Sequence, residues 1–196
     1  MNEKHSKPPS TSEQFNKVYS FPYVHWLWSD IRIPKELTEL VKTKKPKSSL
    51  ELGCGLGRYS TFLANQGIRA SAVDFSFVAI ERARTNSAKY ENKPEFLVGD
   101  VTNLETIKGP FDISFDVGCF HCLNEVSQQK YVSEVYRLLK PGGTHLIWAL
   151  DSSPGEMNLN PPFLAKSFEK GFLLVDSMFS RRRIVASHWY WLVRNK

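Results

Sequence analysis

The chain has 196 residues, 41% hydrophobic and 23% charged, which fits one domain with one core and excludes a disordered or collagen-like polymer. No apolar run approaches the ~18–20 residues of a membrane span, and three cysteines cannot build a disulfide framework, so reduced thiols and a cytoplasmic setting are expected. The net charge of +6 divides into +4 over residues 1–50, −1 over 51–150 and +3 over 151–196, a flank distribution that reads as solvated loops and helix ends rather than a nucleic-acid surface.

In chain order, residues 1–14 have no apolar h-region and are expected to form a disordered arm. An aromatic segment follows, with Phe15, Tyr19, Phe21, Tyr23, Trp26 and Trp28. Pro34 then sits at a helix start, and Leu37, Leu40 and Val41 recur at helical spacing. Lysines near residue 45 suit that helix's negative pole. The segment 15–47 is thus an aromatic lid with an N-terminal helix, ahead of a domain over 48–196.

Within that domain Ser49–Leu52 reads as a buried strand, and Arg58–Gln66 as a helix stopped by Gly67. Strands are predicted at Ala70–Val73, Glu95–Val98, Phe111–Phe115 and Thr144–Leu150, and helices at Phe77–Tyr90 and near Ser127–Leu139. Lys140-Pro141-Gly142-Gly143 should end the last of these helices. Such alternation implies a doubly wound α/β domain with a parallel sheet covered on both faces. Phe172–Phe179 and Ser187–Val193 read as an antiparallel pair at one edge, which makes seven strands.

The first strand runs into Glu51-Leu52-Gly53-Cys54-Gly55-Leu56-Gly57. Glycines belong there when a ligand must approach the backbone or the turn needs positive φ. Asp74 ends the second strand, where an acid can accept hydrogen bonds from ribose hydroxyls. Asp100 and Val101 follow the third strand at the same carboxyl edge, where open α/β sheets bind ligands. Together these describe a nucleoside pocket. A nicotinamide dinucleotide is disfavoured, because the third position of G-x-G-x-x-G is Arg58.

Five segments now coincide with one family. ELGCGLGR, AVDFS, FLVGDV, FDISFDVG and LLKPGG, in that order, resemble the motifs of class I S-adenosylmethionine-dependent methyltransferases across residues 30–196. The resemblance implies a Rossmann-like seven-stranded fold and S-adenosylmethionine as cofactor. It assigns Gly53, Gly55 and Gly57 to the methionine part and Glu51 to orienting the loop. Asp74, followed by Phe75, falls to the ribose, Asp100 and Val101 to the adenine, and Asp116 to the amino group and reacting methyl. Methyl transfer from a sulfonium mainly needs alignment and exclusion of water, so positioning residues rather than a triad are expected.

WSDIRIPKELTELV further resembles the start of thiopurine, thiol and tellurite-type members, with Arg32 where those carry glycine. That makes Tyr19, Tyr23, Trp26 and Trp28 lid residues, stacking on a flat or sulfonium-bearing ligand. It favours a small-molecule methyl acceptor, with a soft sulfur, selenium or tellurium nucleophile first among candidates. Two alternatives stand beside it: RNA or protein methylation through the basic flanks, and a non-catalytic cofactor-binding subunit. Neither nucleic acid nor membrane is the expected partner.

Two motifs need separate treatment. Asn160-Pro161-Pro162-Phe163 matches the N-P-P-F of base-amine methyltransferases, but it follows strand five instead of strand four and reads as a loop entering a helix. Cys119-Phe120-His121-Cys122 lacks the second ligand pair of a structural zinc site, so no metal is expected. It directly follows strand four, however, so Cys119 and His121 are expected at the acceptor, with His121 as proton acceptor on the strength of its pKa range.

Overall fold

A computed structural model describes residues 10–21, 32–152, 158–180 and 186–196. Helix α1 (Ser12–Ser20) starts inside the segment expected to be a disordered arm. Thr11 and Gln14 form a capping box that partners the first backbone amides, so residues 12–14 are helical. Helix α2 (Lys35–Lys44) begins directly after Pro34 and buries Leu37 and Leu40. Tyr23, Trp26 and Trp28 of the expected lid, and Arg181, Arg182 and Arg183, lie outside the described residues.

Strands β1 (Ser48–Leu52), β2 (Arg69–Asp74), β3 (Glu95–Val98), β4 (Phe111–Val117) and β5 (Leu139–Leu150) alternate with α3 (Arg58–Asn65), α4 (Phe77–Ser87) and α5 (Glu125–Leu138). Helix α6 (Pro161–Phe168) precedes β6 (Phe172–Ser180) and β7 (Ser187–Arg194). The sheet order is β3-β2-β1-β4-β5-β7-β6. Strands β1 to β5 pair in parallel, β7 runs antiparallel to β5, and β6 antiparallel to β7. The doubly wound prediction therefore holds, and the antiparallel pair lies at the edge with β7 inserted inside β6.

The segment Lys140–Gly143 does not stand apart as a turn. Helix α5 stops at Leu138, and β5 already begins at Leu139, entering the sheet through a register shift opposite Phe111–Ile113. Gly142, at φ 76°, supplies the left-handed residue that this irregular start requires.

Successive side chains of the central strands point to opposite faces of the sheet, and both faces are buried. On β5, Leu146 and Trp148 pack with Leu37, Leu40 and Leu63, whereas Ile147 and Ala149 pack with Tyr131, Val135, Leu164 and Phe168. Helices α2 and α3 thus cover one face and α5 and α6 the other. Strand β1 is buried along its whole length, as befits a central parallel strand covered on both faces. The chain order reverses between β1 and β4. At that switch point their carboxyl ends diverge and leave a crevice.

Candidate functional site

The crevice is a cavity of ≈ 210 Å³ at the carboxyl ends of β1, β2, β3 and β4. Its floor is Gly53 of the loop after β1, whereas Gly57 of that loop faces Phe96 and Ala83. Gly53, Gly55 and Gly57 have φ of 68°, 51° and 67°, in the left-handed region that L side chains avoid. Gly53 faces the cavity, and a Cβ there would lie 2.6 Å from that of Cys119. Gly55 is covered by Tyr19, whose hydroxyl would be 2.8 Å from an added Cβ.

Asp74 joins loop to pocket. Its Oδ2 accepts the Gly55 N–H at 2.8 Å and its Oδ1 the Ser76 N–H at 2.9 Å, while the residue still lines the cavity. Each carboxylate oxygen has a second acceptor position left for a hydroxyl donor. Burial raises the carboxyl's pKa, and the two amide bonds oppose the rise. Asp100 is exposed at the rim. There its Oδ1 takes the Thr102 N–H and hydroxyl, both at 2.8 Å, and Phe75 and Val101 line the cavity beside it. Among the described lining residues, Asp74 and Asp100 are the only charged side chains.

Glu51 does not reach the cavity. It is buried beneath the loop, where its Oε2 accepts from the Ser60 N–H at 3.0 Å and the Ser60 hydroxyl at 2.5 Å. It therefore ties β1 to the first turn of α3. Burial pushes its pKa up to about 8, against the pull of the Ser60 bonds. Folded protein thus holds a proton that unfolded chain releases, so this contribution to stability is present below the ordinary value of 4.5 and is lost as pH rises through about 8. The buried His145, lowered to about 3, contributes an opposite slope that fades as pH rises past its ordinary 6.5. Thermal unfolding midpoints measured from pH 6.5 to 8.5 are expected to fall, at most by about 1.4 kcal/mol of stability per pH unit. Glu51→Gln flattens that slope.

Helix α1 roofs the cavity. Phe15 packs on Phe75 with ring centroids 5.2 Å apart, and Tyr19 lines the wall. The Asn16 side-chain oxygen accepts the Ser76 hydroxyl at 2.7 Å, and Arg82 donates to the Tyr19 carbonyl at 2.5 Å. These contacts hold the helix against the start of α4. Phe15 belongs to the aromatic segment expected as a lid, whereas the Asn16 latch was missed by reading aromatic residues alone; the capping box at Thr11 is the signal that a helix begins there.

Two of the expected catalytic residues are not among the described lining of the cavity. Asp116 is 0% exposed and absent from the cavity lining. Its Oδ1 accepts the Cys119 N–H at 2.6 Å, and its Oδ2 accepts the Phe120 N–H at 2.6 Å and the Tyr131 hydroxyl at 3.0 Å. It holds the turn after β4 from behind and touches no ligand space. Burial raises its pKa to about 6. His121 likewise points away: buried edge-on against Trp148, it accepts the Leu150 N–H at Nδ1 at 3.5 Å. Residues Phe120–Cys122 form a single 3₁₀ turn with about three residues per turn. Cys119 and Cys122 therefore share the cavity side, and His121 takes the other. Burial pushes both thiols up, Cys122 to about 12, so they present neutral sulfur. Among the described residues no group of three or more His, Cys, Asp or Glu side chains could hold a metal ion.

Asn160 is a helix cap. Its side-chain oxygen accepts the Phe163 N–H at 3.0 Å, and the two prolines fill the first turn of α6. Asn160→Ala is expected to cost about 1 kcal/mol of stability in urea unfolding and to leave ligand binding by the cavity unchanged.

Residues 50–143 match the family described as methyltransferase domain. Norajmaline N-methyltransferase of Rauvolfia serpentina is 30% identical over 125 residues, which are 61% of this chain and 42% of that protein. The chain thus spans less than half the length of this relative. Among solved structures, N-methyltransferase NodS from Bradyrhizobium japonicum, with S-adenosyl-l-homocysteine, superposes with a TM-score of 0.78 at 14% identity, covering 96% of this chain and 100% of that one. A TehB-like S-adenosylmethionine-dependent methyltransferase from Corynebacterium glutamicum gives 0.70 at 20% identity, covering 96% and 100%.

Proposed function

We infer that this chain, a class I methyltransferase in family and fold, binds S-adenosylmethionine in the cavity at the switch point and methylates a small molecule. The observation that carries the reading is the cavity itself: a glycine floor without Cβ atoms, two carboxylates, and an aromatic helical roof. When bound, S-adenosylmethionine supplies a methyl group on a positively charged sulfur, taken up in line by a nucleophile as the carbon–sulfur bond breaks.

Asp74 would hold the ribose hydroxyls through its remaining acceptor positions, and Asp100 and Val101 would face the base. The Gly53 backbone would lie under the amino-acid end. The two carboxylates also make the cavity electronegative, which suits a cationic sulfonium. Phe15, Phe75 and Tyr19 would stack on the ligand and keep water out.

On the acceptor side the described lining offers Cys119, Cys122, Leu123 and Ser127, and neither His121 nor Asp116 reaches it. Among the described residues no base reaches the acceptor side, which favours a nucleophile that presents a lone pair unaided and releases its proton to solvent after transfer. A neutral amine fits that description, and the N-methyltransferase names of the relatives support it. A soft sulfur-type nucleophile is the second reading, favoured by the neutral polarisable thiols of Cys119 and Cys122 on the cavity wall.

The test is methyl transfer from radiolabelled S-adenosylmethionine to separate panels of small amines, small thiols and RNA. Labelling of an amine or thiol that is insensitive to salt supports a small-molecule acceptor. Labelling of RNA alone, falling steeply with salt, overturns it.

A further inference from the structure

Behind the cavity wall lies a buried polar chain that the binding site does not use directly. Tyr131 on α5 donates to Asp116 at 3.0 Å, and its oxygen also lies 3.1 Å from Nε2 of His145 on β5. Nδ1 of His145 is 2.8 Å from the Ser114 hydroxyl on β4. All four residues are at most 1% exposed, so every proton in the chain must be placed within it.

With Asp116 ionised and the buried imidazole neutral, only one placement satisfies the three side-chain links. The Tyr131 hydroxyl has one proton and gives it to Asp116. His145 must then donate from Nε2 to the Tyr131 oxygen, which leaves Nδ1 bare to accept the Ser114 hydroxyl proton. The chain is therefore polarised in one direction, from Ser114 through His145 and Tyr131 towards the carboxylate. That carboxylate in turn holds the amides of Cys119 and Phe120.

We propose that Tyr131 and His145 are positioning residues that keep Asp116 ionised and thereby fix the turn bearing Cys119 and Cys122 at the acceptor side of the cavity. The value of this turn to the reaction rests on the methyltransferase reading; the chain itself does not. Without the Tyr131 donor, a carboxylate with no exposure retains only the backbone amides of the turn and takes up a proton more readily. A protonated Asp116 loses the charge that makes its 2.6 Å amide bonds short, and the turn loosens. The titratable groups facing Asp116 are Glu51 from β1, Tyr131 from α5, His145 from β5, and Cys119 and Cys122 from the turn.

The experiment follows the amide proton shifts of Cys119 and Phe120 by NMR from pH 4 to 8 in the full chain, without ligand. The two amides are expected to titrate together, and Tyr131→Phe to move their midpoint up by about one pH unit, a tenfold gain in proton affinity. A midpoint unchanged in Tyr131→Phe overturns the proposal. Imidazole nitrogen shifts of the unaltered protein give a second reading should that variant not fold: His145 is expected neutral and protonated at Nε2 from pH 7 to 8, where Asp116 is ionised. Protonation at Nδ1 alone, or titration of the ring within that range, overturns it. Binding of S-adenosylhomocysteine, measured separately, tests the cofactor reading, so either can fail without the other.

Discussion

Gly53→Leu is expected to abolish S-adenosylhomocysteine binding, by 100-fold or more, while the far-UV circular dichroism spectrum stays that of a folded α/β protein. Two costs coincide at this position. The backbone sits at φ 68°, where an L residue costs roughly 1–2 kcal/mol. A Cβ would also meet Cys119 at 2.6 Å, and Cys119 cannot retreat because Asp116 holds its amide at 2.6 Å. The leucine side chain is therefore driven into the cavity. Gly55→Leu acts by another route, displacing Tyr19 from the floor and opening the roof. Gly67→Ala is the control: φ is 77°, but an added Cβ meets nothing within 4 Å. It should lose stability and keep binding. Unimpaired binding by Gly53→Leu in a calorimetric titration would show that the loop is not the ligand floor.

Asp74→Ala comes second, with an expected loss of ~1–3 kcal/mol in cofactor affinity, the value of charge-assisted hydrogen bonds in a desolvated site. The substitution removes the acceptor for ribose hydroxyls and also orphans the Gly55 and Ser76 amides. Asp74→Asn separates these effects, because it keeps one side-chain oxygen for the loop and loses the charge. Affinity should fall less for asparagine than for alanine. Equal and undiminished affinity in both variants would remove Asp74 from the binding site.

The parts legible in the sequence are those fixed by backbone demands. Three glycines in one loop, an acid ending each of the next two strands, and alternating periodicities specify the fold and the cavity edge without reference to distant residues. Side-chain direction after β4 is different. Adjacent positions 119, 121 and 122 appear equally close to the site in the sequence, but a single 3₁₀ turn sends His121 to Trp148 and the cysteines to the cavity. Asp116 misled for a related reason. A carboxylate at a strand end can face the ligand or turn back to hold its own loop, and the deciding partner, Tyr131, is 15 residues away on α5. Tyr131 and His145 fall within a predicted helix and a predicted strand, with no motif to single them out. A tyrosine and a histidine buried at positions that need no polar atom are the signal that would have exposed them.

Asn160 shows local chemistry settling a motif. An asparagine before two prolines at a helix start is a cap wherever it falls, and its position after β5 keeps it out of the crevice between β1 and β4. Helix α1 was hidden by composition: a polar, proline-containing start suggested an arm up to the point where Thr11 and Gln14 close their reciprocal bonds.

Calorimetric titration of the purified chain with S-adenosylhomocysteine, with NAD run in parallel, tests the cofactor assignment most directly. Saturable one-to-one binding of S-adenosylhomocysteine, weakened in Gly53→Leu and Asp74→Ala, and no heat with NAD is the expected result. Binding of NAD, or S-adenosylhomocysteine binding that ignores both substitutions, would contradict the assignment of the switch-point cavity as a methyl-donor site.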